Sequence, residues 1–205
     1  MKKIVTRIIV LTFILCLLTS CGVGSNTTST PASERDYTIY NCNGRVISFT
    51  TKIEIDKEGE YFGTIKGNLF KIVTDPLTFY DVNGNKTAFA GDTYHFINQD
   101  SHGIYVNKQF TYDMVGGFEF FGQEYAIYDI NEKLVANLKF SPANFEGKLT
   151  DHRGNIIAEY TSFVGFKDFT IKIYDSCELD EISVLMIFGS YYSDYHYDAG
   201  DYNSL

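Results

Sequence analysis

The sequence predicts an all-β domain of about twelve short strands in a meander, followed by one apolar C-terminal helix. Three observations carry this. From Tyr37 onward Tyr, Phe, Ile, Val and Thr recur in short alternating runs, as half-buried strands require. Turn signals that begin with Asp punctuate these runs. The longest apolar run past the first 20 residues, ISVLMIFG at 182–189, is kept almost to the end.

The strands follow from the turns. Asp56-Lys57-Glu58-Gly59, Asp81-Val82-Asn83-Gly84-Asn85 and Asp151-His152-Arg153-Gly154-Asn155 each reach a Gly that can take positive φ. In Asp129-Ile130-Asn131-Glu132-Lys133, Asn131 is the residue expected to tolerate that conformation. Strands are expected on either side: 52–55 and 61–66, 78–80 and 86–90, 124–128 and 134–140, 145–150 and 156–162. Further strands are expected at 93–97, 104–107, 109–114 and 169–174. Pro76 and Pro142 fall between strands, where no ladder amide is needed.

The terminal run is too short to cross a bilayer, which takes ~20 apolar residues as a helix. Asp175-Ser176-Cys177-Glu178 fits a capping box with Asp175 as N-cap, and Asp180 and Glu181 suit the positive end of a helix dipole. A helix over 178–192 would leave almost no polar face beyond its first turn, so it would be buried all round. Its length, ~22 Å at ~1.5 Å per residue, is about the height of a small barrel. A fully buried strand is the alternative reading.

The N-terminus is set apart from the fold. Lys2, Lys3 and Arg7 precede an apolar stretch from Ile8 to Leu18, and Leu18-Thr19-Ser20-Cys21 follows. This order reads as a signal peptide over 1–20, and LTSC resembles the bacterial lipobox, in which the cysteine is acylated and becomes the mature N-terminus. Cys21 is thus the expected lipidation site, and the membrane a partner through that anchor, on the extracytoplasmic face of the cell membrane. Residues 21–36, rich in Ser, Thr, Gly and Asn, read as the lipidated Cys and a flexible tether, and 37–205 as the domain.

Composition excludes some functions. Without Lys2, Lys3 and Arg7 the balance is 14 basic against 26 acidic residues, a net charge of −12. Such a surface disfavours nucleic acid and anionic lipid head groups. Cys42 and Cys177 remain as either a disulfide pair or two separate core residues. No cofactor, nucleophile or zinc motif occurs, and His95, His102, His152 and His196 have no ligand spacing. Asp81–Asn85 matches the start of an EF-hand loop only superficially, with Gly misplaced and Asp92 where Glu should stand, so a turn explains it better and no metal is expected. The tail Tyr191-Tyr192-Ser193-Asp194-Tyr195-His196-Tyr197-Asp198 reads either as a stacking or weak cation surface or as a cover for one end of the domain.

The repeated pattern LTFYDVNGNKTAFA, YAIYDINEKLVANLKF and GKLTDHRGNIIAEYTS, with the ending FTIKIYDSCELDEISVLMIFGSYY, resembles the tubby C-terminal-like fold and, within it, the LURP-one-related family. The resemblance spans roughly residues 45–195. It implies a closed antiparallel β-barrel with the C-terminal helix threaded through its middle. Tubby domains bind phosphoinositides in a basic pocket, and scramblase-type members act at membranes with an acylated cysteine. Neither pocket maps here, because Lys66, Lys71, Lys139, Lys148, Lys167 and Lys172 are spread among strands. The expected function is a non-enzymatic binding or scaffolding domain of the bacterial envelope, with an envelope protein as partner. A lipid-handling role is the alternative, and a hydrolase assembled from dispersed Asp, His and Tyr a third reading.

Overall fold

The structure is a computed structural model that describes residues 36–47, 50–68, 77–92, 101–119, 122–141, 145–162 and 167–202. Its strands are β1 (Tyr37–Ile47), β2 (Thr50–Lys57), β3 (Glu60–Asn68), β4 (Leu77–Asp81), β5 (Lys86–Asp92) and β6 (Ser101–Val106). They continue as β7 (Gln109–Glu119), β8 (Gly122–Asp129), β9 (Leu134–Ser141), β10 (Glu146–Asp151), β11 (Ile156–Ser162) and β12 (Asp168–Tyr174). One helix, α1 (Glu181–Tyr202), follows. Each strand pairs with its sequence neighbour, and β1 pairs antiparallel with β12, from Tyr37 opposite Tyr174 to Asn43 opposite Asp168. The expected closed twelve-strand barrel is therefore what the chain forms.

Strand β1 was not among the expected barrel strands. Its run YTIYNCNGRVI places Asn and Gly between the apolar residues and masks the alternation. Yet Tyr40 and Cys42 face the core, and β1 is the staple that closes the barrel. The expected strand at 93–97 lies outside the described residues.

Three Asp turns share one geometry. At Asp81, Asp129 and Asp151 one carboxylate oxygen accepts the amides of the residues two and four positions on, at 2.8–3.0 Å. The residue three positions on takes positive φ: Gly84 at 78°, Glu132 at 60° and Gly154 at 83°. The left-handed residue of the middle turn is thus Glu132, and not Asn131, because the shared hydrogen-bond pattern counts from the Asp. Asp56 heads no such turn: Lys57 stays in β2, and Glu58 and Gly59, at 53° and 91°, make a two-residue hairpin. Since a side chain in that region costs about 1 kcal/mol that glycine avoids, Glu132→Gly is expected to raise the unfolding free energy by that amount in urea titration. Gly84→Ala and Gly154→Ala should lower it similarly.

The inner wall alternates as a half-buried sheet must. Ile53 and Ile55, Leu138 and Phe140, and Ile171 and Ile173 point inward. Side chains alone fill a barrel of about eight strands. Twelve leave room for an element, and α1 occupies it. Its residues from Ser183 to Tyr192 are all buried. The helix packs chiefly against β5 and β6, where Ala88 and Ala90 let its backbone approach. Opposite, the rings of Phe140, Tyr160 and Phe169 reach in from β9, β11 and β12. They meet Tyr191 (4.2 Å from Phe140), Phe188 (5.9 Å from Tyr160) and Tyr192 (5.0 Å from Phe169). Of the aromatic tail, Tyr191 and Tyr192 are therefore core residues, and Gly44 makes room for the Tyr192 hydroxyl.

The start of α1 differs from the expected 178–192 span. Its N-cap is Asp180, whose carboxylate accepts the Ser183 amide at 2.9 Å and whose carbonyl accepts that of Val184 at 3.1 Å. Residues 175–179 form a separate turn, closed by the Cys177 amide on the Tyr174 carbonyl at 2.8 Å. Leu179 drops into the core just before the cap, the position of a hydrophobic staple.

Candidate functional site

Cys21, the tether up to residue 35 and His95 lie outside the described residues. Cys42 and Cys177 do not bridge. Cys42 is buried within β1, its thiol donating to the Tyr40 carbonyl at 3.9 Å, and the Cys177 thiol donates to the Leu179 carbonyl at 3.7 Å. The register gives the reason. Tyr174, just before Cys177, stands opposite Tyr37, whereas Cys42 lies five residues farther along β1. Five strand residues span ~17 Å, far beyond the ~7 Å that a disulfide tolerates between Cα atoms. Burial pushes both thiols up from their ordinary pKa.

The helix start is tied to the first two strands without a disulfide. Glu181, in the first turn of α1, accepts a hydrogen bond from Tyr40 of β1 at 2.5 Å and pairs with Lys57 of β2 at 2.7 Å. The Lys57 ammonium also lies over the Tyr40 and Phe62 rings, 5.6 and 5.4 Å from their centres. Burial alone would raise the Glu181 pKa; hydrogen bonds from Lys57 and Tyr40 outweigh it and hold the carboxyl below its ordinary range. A carboxyl depressed in the folded state stabilises above its unfolded pKa of ~4.3 and loses that contribution as pH falls through the folded value. Because both partners are more than a third exposed, the pair is worth about 1 kcal/mol at most. Lys57→Met should therefore lower stability by up to that amount at pH 7, and the difference from wild type should shrink as the pH falls below the unfolded carboxyl's ~4.3 in paired thermal melts.

Beside the helix entrance, on the rim that carries the Asp turns, a cleft of about 220 Å³ opens. Tyr112, Leu134, Val135, Ile157 and Leu179 contribute its apolar lining. Lys133, His152 and Arg153 come from two turns, and Glu178 and Ser176 from the link to α1. Arg153 Nε donates to His152 Nε2 at 3.3 Å on the exposed surface of the turn. Asp129 and Asp151 also border it, their carboxylates held in the turns and, through these amides, below the ordinary range. Burial raises the Tyr112 phenol, with Asp180 adding to the effect. Apart from His152 and Glu178, these residues did not stand out in the sequence as site candidates, since they come from β7, β9, β11, two turns and the α1 link with no fixed spacing.

Of the other histidines, His102 is buried in β6, and the side chain of His196 is outside the described residues. Among the described residues no group of His, Cys, Asp and Glu could hold a metal ion, and no helix is long and apolar enough to cross a membrane. In the Asp81 turn, Asn85 donates both its backbone and its side-chain amide to the carboxylate, at 2.8 and 3.1 Å. The EF-hand-like residues are a turn.

No model of a known protein family matches the chain, and no curated protein matches it. Among solved structures, the chain is similar to the X-ray structure of an Arabidopsis thaliana protein, AT5G01750. The TM-score is 0.47 and the identity 11%, over 73% of this chain and 88% of that one.

Proposed function

We propose that the chain is a lipid-anchored, extracytoplasmic protein of the bacterial envelope whose barrel is a non-enzymatic binding or scaffolding domain of the tubby-like, LURP-one-related type. The observation that carries the anchor is the order of Lys2, Lys3 and Arg7, the apolar 8–18 stretch and LTSC ending at Cys21. Residues 22–36 then tie the barrel to the membrane at its turn rim, where β1 begins. Support for the binding role is the closed, edgeless wall with a cleft at that rim. The test is fractionation with mass spectrometry. A diacyl or triacyl peptide beginning at Cys21 is expected in the membrane fraction, and Cys21→Ala should abolish it and release the protein. A variant that stays with the membrane removes the anchor. In-cell cross-linking should capture an envelope protein; strong, salt-sensitive binding to anionic liposomes would instead favour lipid handling.

A further inference from the structure

We propose that the outer wall of β4–β7 is a docking strip for the acidic, tyrosine-rich C-terminal segment of a second copy of this chain. The inference goes beyond the binding-domain reading, because it names one occupant and a surface apart from the rim cleft.

The strip is set by strand register. Tyr80, Phe89 and Tyr105 face outward, since Phe79, Ala88, Ala90 and Ile104 beside them in the chain are buried in the core. Phe89 stands opposite Tyr105, and Tyr105 opposite Phe110. The Phe89 and Tyr105 rings stack at 4.4 Å, and Phe110 meets Tyr105 edge to face at 5.3 Å. Phe110 keeps 37% of its surface exposed. Two cations lie on the same wall: Lys66 Nζ is 5.1 Å from the centre of the Tyr80 ring, and Lys86 Nζ is 4.6 Å from that of Phe89. Lys108 follows in the β6–β7 turn, also exposed. A row of aromatic rings on an outer wall, edged with charge, has the composition of an interaction site.

The charge of the strip decides its occupant. Of the nearby acids, Glu54 is paired with Lys52 at 2.5 Å, and Asp81 is taken up by amides of its own turn. Asp113, opposite Gly103, stands at the edge of the strip. Two strips face to face would set lysine against lysine, so the occupant is not a second strip. It brings aromatic groups together with negative charge, and the chain carries such a segment. Helix α1 runs to Tyr202, but its buried stretch ends at Tyr192. Residues 193–202 hold Asp194, Asp198 and Asp201 with Tyr195, Tyr197 and Tyr202, and no Lys or Arg. At ~1.5 Å per residue they lengthen the helix by ~15 Å. They leave by the far rim. The strip flanks the turns of the rim where α1 begins, at Glu181 beside Lys57, whereas Tyr192 has already reached Gly44, towards the end of β1. The segment therefore points away from its own strip and is free to meet that of another copy.

The experiment places the photo-crosslinking amino acid p-benzoylphenylalanine at position 110 of the full-length protein, in cells that co-express copies with two different tags. Irradiation is expected to give an adduct that carries both tags, with the link inside residues 194–202 by tandem mass spectrometry. The same group at position 130, where Ile130 is 65% exposed on a turn, should give little of it. Lys66→Glu with Lys86→Glu should lower the yield about tenfold or more, because like charges then meet. Asp194→Lys with Asp198→Lys and Asp201→Lys should do the same. A copy with the first set of changes, co-expressed with a copy carrying the second, should regain the adduct. Lys66 and Lys86 are exposed, so melting temperatures should hold and show that the barrel is intact. No adduct with both tags, a link outside 194–202, equal yield from position 130, or insensitivity to the charge changes would overturn the proposal. A link from position 110 to a different protein would also overturn it, while leaving the envelope-partner reading in place.

Discussion

Leu185→Asp should abolish the folded state. Leu185 is fully buried in α1, with Ser183 through Tyr192 buried on every side of the helix. Among the described residues the buried face of the helix offers a carboxylate only the Ser183 and Ser190 hydroxyls and no cation, and the wall is closed all round. Burying even a neutral polar group without a partner costs several kcal/mol, and a charge more. That is comparable to the whole stability of a domain, about 5–15 kcal/mol. The expected result is loss of near-ultraviolet dichroism and of any cooperative melt, with Ile187→Asp behaving alike. A variant that melts as wild type would place the helix outside the barrel.

Phe188→Ala should cost about 3–5 kcal/mol. The ring is fully buried, stacks on Tyr160 at 5.9 Å and lies beside Gly147. Truncation opens a cavity that the neighbours are held from closing: Tyr160 is itself packed against Phe169 at 4.8 Å, and Phe140 against Tyr191 at 4.2 Å, both with tilted rings. Phe188→Leu keeps most of the volume and should cost about 1–2 kcal/mol. Chemical unfolding of the two variants checks both the size of the loss and its order. Equal, small losses would mean that the aromatic half of the interior is loosely packed.

Which features could be read from sequence follows from how local their causes are. The Asp turns were legible because side chain, amides and left-handed residue lie within five positions, and the helix because an apolar run needs no partner to announce itself. The N-cap was misplaced by five residues. Asp175-Ser176-Cys177-Glu178 satisfies the capping pattern, but the Tyr174–Cys177 turn uses that backbone first. The place of β1 in the barrel was hidden because its inward Tyr40 and Cys42 are set among Asn and Gly, and its pairing with β12 is more than 120 residues away in the chain. The cleft was illegible for the same reason. Lys133, Arg153 and Glu178 become neighbours only once the barrel sets its turns around the helix entrance.

The β1–β12 seam also governs when this protein can come into being. The strand made first must wait for the strand made last, and the helix that fills the lumen is made after both. A chain emerging in order therefore spends most of its synthesis with β1 as an unsatisfied edge and an apolar interior open to water, the condition under which sheets recruit one another. Non-local closure of this kind sets folding on the millisecond-to-second scale. Productive folding must be post-translational, and a nascent chain halted before residue 181 would be a substrate for chaperones and proteases.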